Sequence, residues 1–213
     1  MSDIFREIDE ELRRDNLLKL WQRYGKYVIA VAMLALVIAG GVVGWREYQA
    51  RERRAQAARY ASALALIRSG KDAEAARAFA ALAHQGGGYA VLAAFEQAEL
   101  LAKGGDRKGA VAEYDRLAAS TAVDPEFRDL ALLLSALQAL PEADATATIE
   151  RLKPLTASGN PWRVSALDLT AAAKLKAGDR AGAREIYQQL ADDLTAPQAL
   201  RARAAELAAA LKS

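Results

Sequence analysis

The stretch GDRKGAVAEY, residues 105–114, recurs along the chain and decides the predicted fold. GKDAEAARAF at residues 70–79 and GDRAGAREIY at residues 178–187 repeat its order of residue types. In each copy an alanine lies five residues after the first glycine, an aromatic residue follows four later, and a leucine three after that. A weaker copy is formed by Leu140, Ala145, Ile149 and Leu152. The alanines at 75, 110, 145 and 183 are therefore 35, 35 and 38 residues apart.

This spacing is typical of helix–turn–helix units that stack on one another. The glycine ends one helix in a conformation that other residues resist. The small alanine lets the second helix press against the first, and the aromatic residue and leucine fill the seam between neighbouring units. Prolines at 125, 161 and 197 are placed to restart the first helices. Because no strand-like alternation follows residue 55, we predict an all-α fold in which Phe79, Tyr114 and Tyr187 are buried.

The pattern resembles the tetratricopeptide repeat, whose second helix carries Ala-x-x-x-Phe at a period of about 34 residues. Three departures weaken the likeness. Arg59 stands where the first helix usually has tryptophan, Leu140-Pro141 replaces a turn glycine, and Pro154 falls late in a second helix. Alanine-rich hairpins without a regular array therefore remain an alternative. Residues from Gln198 onward are interpreted as a final capping helix.

An apolar run, YGKYVIAVAMLALVIAGGVVGWREY, extends from Tyr24 to Tyr48. Residues 28–44 carry no charge, and a helix needs about 17–25 apolar residues to cross a bilayer. Aromatic side chains bracket the run on both sides, as they do at membrane interfaces. The 26 residues before residue 27 are too many for the short basic start of a signal peptide. Trp45 and Arg46 follow the uncharged residues in place of a small-x-small cleavage site, and Ala55-Gln56-Ala57 lies too far downstream. We therefore predict an uncleaved transmembrane anchor over residues 27–45, not a signal peptide or a buried core helix.

Gly40 and Gly44 lie four residues apart inside this predicted anchor. Small residues at this spacing let membrane helices pack backbone to backbone. The same spacing also arises from composition in a segment rich in alanine and glycine, so helix packing and mere composition both remain open.

The predicted organisation is a cytoplasmic amphipathic arm (residues 1–26), the anchor (27–45), a juxtamembrane linker helix (46–56) and the repeat domain (57–213). Five Lys and Arg residues flank the anchor on each side, so the positive-inside rule gives no orientation. The arm carries twelve charges and would cross a membrane poorly, which favours a cytoplasmic N-terminus. The arm itself is either a solvated helix or one that docks on a membrane surface or partner.

The segments SDIFREIDEELRRD (residues 2–15) and LWQRYG (residues 20–25) precede the anchor and the repeats. In this order they resemble the bacterial family of tetratricopeptide-like ancillary subunits of the Sec translocon. The resemblance implies a single-pass inner-membrane protein with a cytoplasmic N-terminus and a periplasmic repeat domain. It also implies association with the Sec channel and with a membrane-anchored periplasmic prolyl isomerase, in a chaperone role for emerging proteins.

Composition argues against catalysis and nucleic-acid binding. The net charge is +2 with both signs interspersed, which predicts no nucleic-acid partner. His84 is the single histidine and cysteine is absent, so we predict no enzyme and no catalytic, cofactor or metal site. By the resemblance to the ancillary Sec subunits, the expected function is a membrane-anchored interaction scaffold that links the Sec channel to periplasmic chaperones. A coordinator of cell-envelope assembly or division, using the same repeat domain, is the alternative, and the oligomeric state is not predicted.

The repeat register places the first helix of each unit on the concave face of the predicted array. These helices contribute Tyr60, Leu64, Arg68, Phe95, Glu99, Lys103, Asp168, Ala172 and Lys176. Because this set mixes apolar side chains with charges of both signs, we predict an extended, partly apolar peptide or a partner helix as the ligand. The alternative is that Tyr60 and Phe95 are simply core residues.

Overall fold

The computed structural model describes the backbone of residues 3–212 and the side chains of residues 23–27, 29, 33–34 and 36–212. Within these residues the chain is helical, without strands, as the sequence predicts. The helices are α1 (Asp3–Arg68), α2 (Asp72–Gln85), α3 (Ala90–Lys103), α4 (Arg107–Ala119), α5 (Pro125–Ala139), α6 (Ala145–Leu152), a 3₁₀ helix (Lys153–Thr156), α7 (Arg163–Lys176), α8 (Arg180–Asp192) and α9 (Gln198–Ala210).

The chain divides into two compact units, Met1–Arg54 and Ala55–Ser213. In the first unit the described backbone is a single continuous stretch of α1. Its described side chains between Tyr24 and Tyr48 are almost all exposed, including Leu36 at 69% and Val37 at 70%. None of the helices, over the residues described, has a stretch both long and apolar enough to cross a membrane. The predicted anchor falls partly outside those residues, since the side chains of 28, 30–32 and 35 are not described.

The second unit is a series of helical hairpins whose turns match the repeated sequence motif. Gly70, Gly105 and Gly178 have φ angles of 74°, 91° and 83°, a region that favours glycine and ends each first helix. In all three hairpins the second helix begins two residues after this glycine, and in two of them an aspartate caps it. The carboxylates of Asp106 and Asp179 accept hydrogen bonds from the backbone N–H of Gly109 (2.9 Å) and Gly182 (2.8 Å).

The core lies in the seams between neighbouring hairpins, where the repeat residues meet. Phe79, Tyr114 and Tyr187 are 0%, 3% and 4% exposed, so their predicted burial is confirmed. Four buried clusters follow the chain, formed by α1–α3, by α3–α5, by α5–α7 with the 3₁₀ helix, and by α7–α9. Each hairpin thus buries its apolar side chains against the next one, which is the packing of a helical repeat array.

The third hairpin departs from the others where its sequence does. α6 has only eight residues, and Pro154 lies in the 3₁₀ helix that continues it. Proline removes a backbone donor and disfavours continuation of an α-helix through it. Leu155 is nevertheless fully buried, so the 3₁₀ turn contributes a core side chain in place of the missing helical turn. The last helix, α9, packs through Ala204 and Ala208, and its role as a capping helix stays a prediction.

Candidate functional site

The first helices of the hairpins present one series of side chains, which we call the first-helix face. Its predicted residues lie on the end of α1 and on α3 and α7. Tyr60 and Leu64 are half-buried against the core of the first hairpin, and Phe95 is half-buried against the core of the second. Arg68, Glu99, Lys103 and Lys176 are exposed. The face therefore has an apolar base and a charged margin.

Tyr60 connects the first hairpin to α3. Its ring lies 5.2 Å from that of Phe79 and 5.4 Å from that of Tyr89, measured between centroids. Its hydroxyl donates a hydrogen bond to the Glu96 carboxylate at 3.0 Å. Burial, the hydrogen bond to Glu96 and the charge of Glu96 raise the pKa of Tyr60 to about 12. Tyr60 is thus a structural contact as well as part of the face.

Phe95 is the corresponding aromatic residue on α3. Its ring lies 5.9 Å from that of Tyr114 and 6.3 Å from that of Phe127 on α5. Burial, followed by the charges of Glu99 and Glu96, raises the pKa of Tyr114 to about 12. The charges of two carboxylates of α3 therefore act on the Tyr114 hydroxyl.

Two predicted cations of the face are already engaged within the chain. The Lys103 ammonium lies 2.7 Å from the Asp72 carboxylate of α2. The Lys176 ammonium donates to the carbonyl oxygens of Leu140, Pro141 and Ala143 at 2.7, 3.0 and 2.6 Å. Lys176 therefore stabilises the turn after α5 by hydrogen bonds, a role that the repeat spacing did not predict.

In the last hairpin the acidic charge of the face is compensated. Asp168 of α7, at a predicted site position, forms an ion pair with Arg203 of α9. Burial raises the pKa of Tyr187, Asp168 raises it further, and Arg203 lowers it. Arg68 lies at the C-terminal end of α1, where a positive charge is favourable to the helix dipole.

The prediction from the repeat register omitted α5, whose Phe127 extends the apolar part of the face beside Phe95. Phe127 is 40% exposed, Leu92 on α3 is 41% exposed, and Leu137 is also exposed. Phe127, Leu130, Leu134 and Leu137 follow helical spacing, and Phe127 lies 35 residues after Leu92. Adding the 35-residue repeat spacing to Leu92 predicts Phe127 at the equivalent position of α5. The third repeat lacks the turn glycine at Leu140-Pro141, which makes its alignment with the other repeats harder to see in the sequence.

The last candidates from the sequence are His84 and the pair Gly40 and Gly44. Over the residues described, no His, Asp and Glu side chains are grouped in a way that could hold a metal ion. His84 is exposed in the last turn of α2. A Cβ atom added to Gly40 or Gly44 would meet nothing within 4 Å, so their role in helix packing stays a prediction.

Comparison with known proteins agrees with this architecture. A family model described as a tetratricopeptide repeat-like domain matches residues 19–209. Two solved structures of a Podosopora anserina protein, one a single-substitution variant, contain nearly identical TPR-like repeats and were assigned as a kinesin light chain. Each is 15% identical, covers 72% of this chain and 83% of its own, and has a TM-score of 0.56. No curated protein matches the chain. At this identity the structural likeness concerns the fold.

Proposed function

Because the chain belongs to the tetratricopeptide repeat-like domain family, we propose that it is a membrane-anchored scaffold that holds proteins on its first-helix face. Domains of this family bind protein partners, and the fold is typically non-catalytic. The observation that carries the proposal is the exposed apolar surface of Leu92 and Phe127 beside the carboxylates of α3. Such a surface suits a polypeptide ligand better than a small molecule, which usually binds in a concave pocket.

The proposed anchor is supported by the surface of α1. Its described large apolar residues from Tyr24 to Tyr48 are exposed, whereas monomeric proteins in water rarely expose contiguous apolar patches above a few hundred Å². Insertion into a bilayer would remove this surface from water. Arg23 and Lys26 lie 5.9 and 5.1 Å from the rings of Tyr24 and Tyr27, an arrangement suited to a membrane interface. The family match includes this segment.

The finer proposal concerns location and partners, and it rests on the N-terminal sequence. Residues 2–15 and 20–25 resemble the ancillary subunits of the Sec translocon. We accordingly place the N-terminus in the bacterial cytoplasm and the repeat domain in the periplasm. The proposed partners are the Sec channel and a membrane-anchored periplasmic prolyl isomerase. A role in envelope assembly or division would use the same repeat domain with other partners.

Anchoring and topology are tested on the full chain expressed in a bacterium. We expect the chain to stay in the membrane pellet after an alkaline carbonate wash. Protease added to spheroplasts should digest the chain beyond Arg54 and spare residues 1–26. Release into the carbonate supernatant would contradict the anchor, and protection of the repeats would overturn the topology.

Partners are tested by photo-crosslinking from the first-helix face. A photoreactive residue replaces Phe127 in the full chain, and the exposed Glu206 of α9 serves as the matched control position. Crosslinks from position 127 to Sec channel subunits, the isomerase or exported chains are expected. Crosslinks to envelope or division proteins instead would favour the alternative role. Identical products from both positions would show that this face is not the binding surface.

A further inference from the structure

The apolar part of the first-helix face, formed by Leu92, Phe95 and Phe127, packs on buried core side chains through Phe95 and is therefore preorganised for a ligand. Phe95 packs on the buried Tyr114 and also meets Phe127, with ring centroids 5.9 and 6.3 Å apart. Leu92 lies one helical turn before Phe95 on the same side of α3. A rigid apolar surface loses little conformational entropy on binding, which favours it as an anchor site.

Two carboxylates border this surface. Glu96 and Glu99 lie within the next two turns of α3 after Leu92. Glu96 accepts a hydrogen bond from the Tyr60 hydroxyl, a neutral donor that leaves its negative charge uncompensated. Glu99 is exposed and has no ion-pair partner among the described side chains. Both charges act on the Tyr114 hydroxyl, and both raise its pKa in addition to the effect of burial.

The cations predicted on the same face do not compensate these charges. Lys103 pairs with Asp72, Lys176 is bound to three backbone carbonyls, and Arg68 forms no ion pair with Glu96 or Glu99 among the described side chains. The last hairpin offers the contrast within one molecule, since its Asp168 is paired with Arg203. Within the part of the chain that the structure describes, the charges of Glu96 and Glu99 on α3 therefore stay unpaired, next to the exposed Leu92 on the same helix.

Resting on the proposed function, we infer that the surface of Leu92, Phe95, Glu96, Glu99 and Phe127 binds polypeptide segments that combine large apolar side chains with Lys or Arg. An ammonium or guanidinium group would lie against the carboxylates and the aromatic rings, both of which attract cations. The apolar side chains of the ligand would cover Leu92 and Phe127. An acidic segment would instead place like charges together, which electrostatic complementarity disfavours.

The inference is tested with three labelled peptides and the full chain in a neutral detergent. The first peptide contains Lys, Leu, Phe and Ser; the second replaces each Lys by Glu; the third replaces each Leu and Phe by Ser. Fluorescence anisotropy gives Kd at low and high salt. We expect the first peptide to bind most tightly, and its affinity to fall with added salt. Glu96→Gln and Glu99→Gln should each weaken it about two- to fivefold, and Phe127→Ser about tenfold.

Glu206→Gln on α9 is the matched control, because it removes a carboxylate at an exposed position away from α3 and should leave Kd unchanged. Glutamine at 96 still offers an acceptor to Tyr60, and circular dichroism melting checks each variant. Equal binding of the Lys and Glu peptides, or an unchanged Kd in the two glutamine variants, overturns the inference. In that case, weaker binding to Phe127→Ser would still support the first-helix face as the interaction surface. If Phe127→Ser leaves every peptide unaffected, the proposed function fails too. If it dissociates an oligomer in sedimentation without peptide, a second copy occupies the surface and the inference is wrong.

Discussion

Tyr114 shows how much of the seam between hairpins depends on one side chain. It is nearly fully buried in the cluster formed by α3, α4 and α5, and Phe95 lies on it. Tyr114→Ala should therefore lower the free energy of unfolding by roughly 3–5 kcal/mol, from lost burial and the cavity left behind. Urea unfolding measures the change. Phe127→Ala, at a site 40% exposed, is the control and should cost clearly less. A loss below about 1 kcal/mol for Tyr114→Ala would show that the seam lies elsewhere.

Glycine is favoured at position 109 by a neighbouring side chain, and not by an unusual backbone angle. A Cβ atom at this position would overlap the Asp106 carboxylate, which accepts a hydrogen bond from the Gly109 N–H. Gly109→Ala should therefore cost about 1 kcal/mol through the lost cap, although alanine alone favours a helix.

A double-mutant cycle separates these two effects of Gly109→Ala. In the Asp106→Ala background no cap remains to be disrupted, so Gly109→Ala should be neutral or stabilising by up to about 1 kcal/mol. Thermal and urea unfolding of the four proteins give the coupling energy. An equal cost of Gly109→Ala in both backgrounds would exclude steric conflict with Asp106 as the cause.

At the scale of elements, the turn between α5 and α6 depends on a contact from a distant helix. Lys176 of α7 donates to three carbonyls of this turn, where the usual glycine is missing. Lys176→Met should speed amide exchange in residues 140–147 and cost about 1 kcal/mol, the usual net worth of a hydrogen bond. Hydrogen-exchange mass spectrometry measures this. Lys153→Met, which removes an exposed pair with Glu150, is the control. Unchanged exchange at the turn would show that Lys176 does not hold it.

The contrast between turns explains what sequence could and could not predict. Gly70, Gly105 and Gly178 were found because their conformation demands one residue type locally. Phe79, Tyr114 and Tyr187 were found because burial follows the helical period. The Lys176 contacts and the Phe95–Phe127 pair join residues more than thirty positions apart, and no local pattern specifies such partners. Lys103 and Asp168 lie on first helices, but their ion pairs with Asp72 and Arg203 join distant parts of the chain and are seen only in the structure.

At the scale of the whole molecule, the repeat unit has its own core. The buried clusters that the structure describes all lie within Ala55–Ser213. We therefore predict that residues 55–213 fold without the preceding segment, with helical circular dichroism and a cooperative melt. A shorter fragment ending before α9 is the comparison. It should melt at a lower temperature, because removing α9 uncovers the cluster that contains Tyr187 and Leu190. Loss of helicity in residues 55–213 would show that the repeats need the N-terminal segment.

The seams also determine how the repeat unit would respond to a pulling force. Each buried cluster joins only neighbouring hairpins, so tension applied between the first hairpin and α9 is carried by the seams in series. The weakest seam opens first, while the other seams stay closed. The unit would extend in steps about one hairpin long and shorten again as each seam closes. A polypeptide held on the face of α3 and α5 would then be released when the seam beneath Phe95 and Tyr114 opens, since this pair lies at that junction.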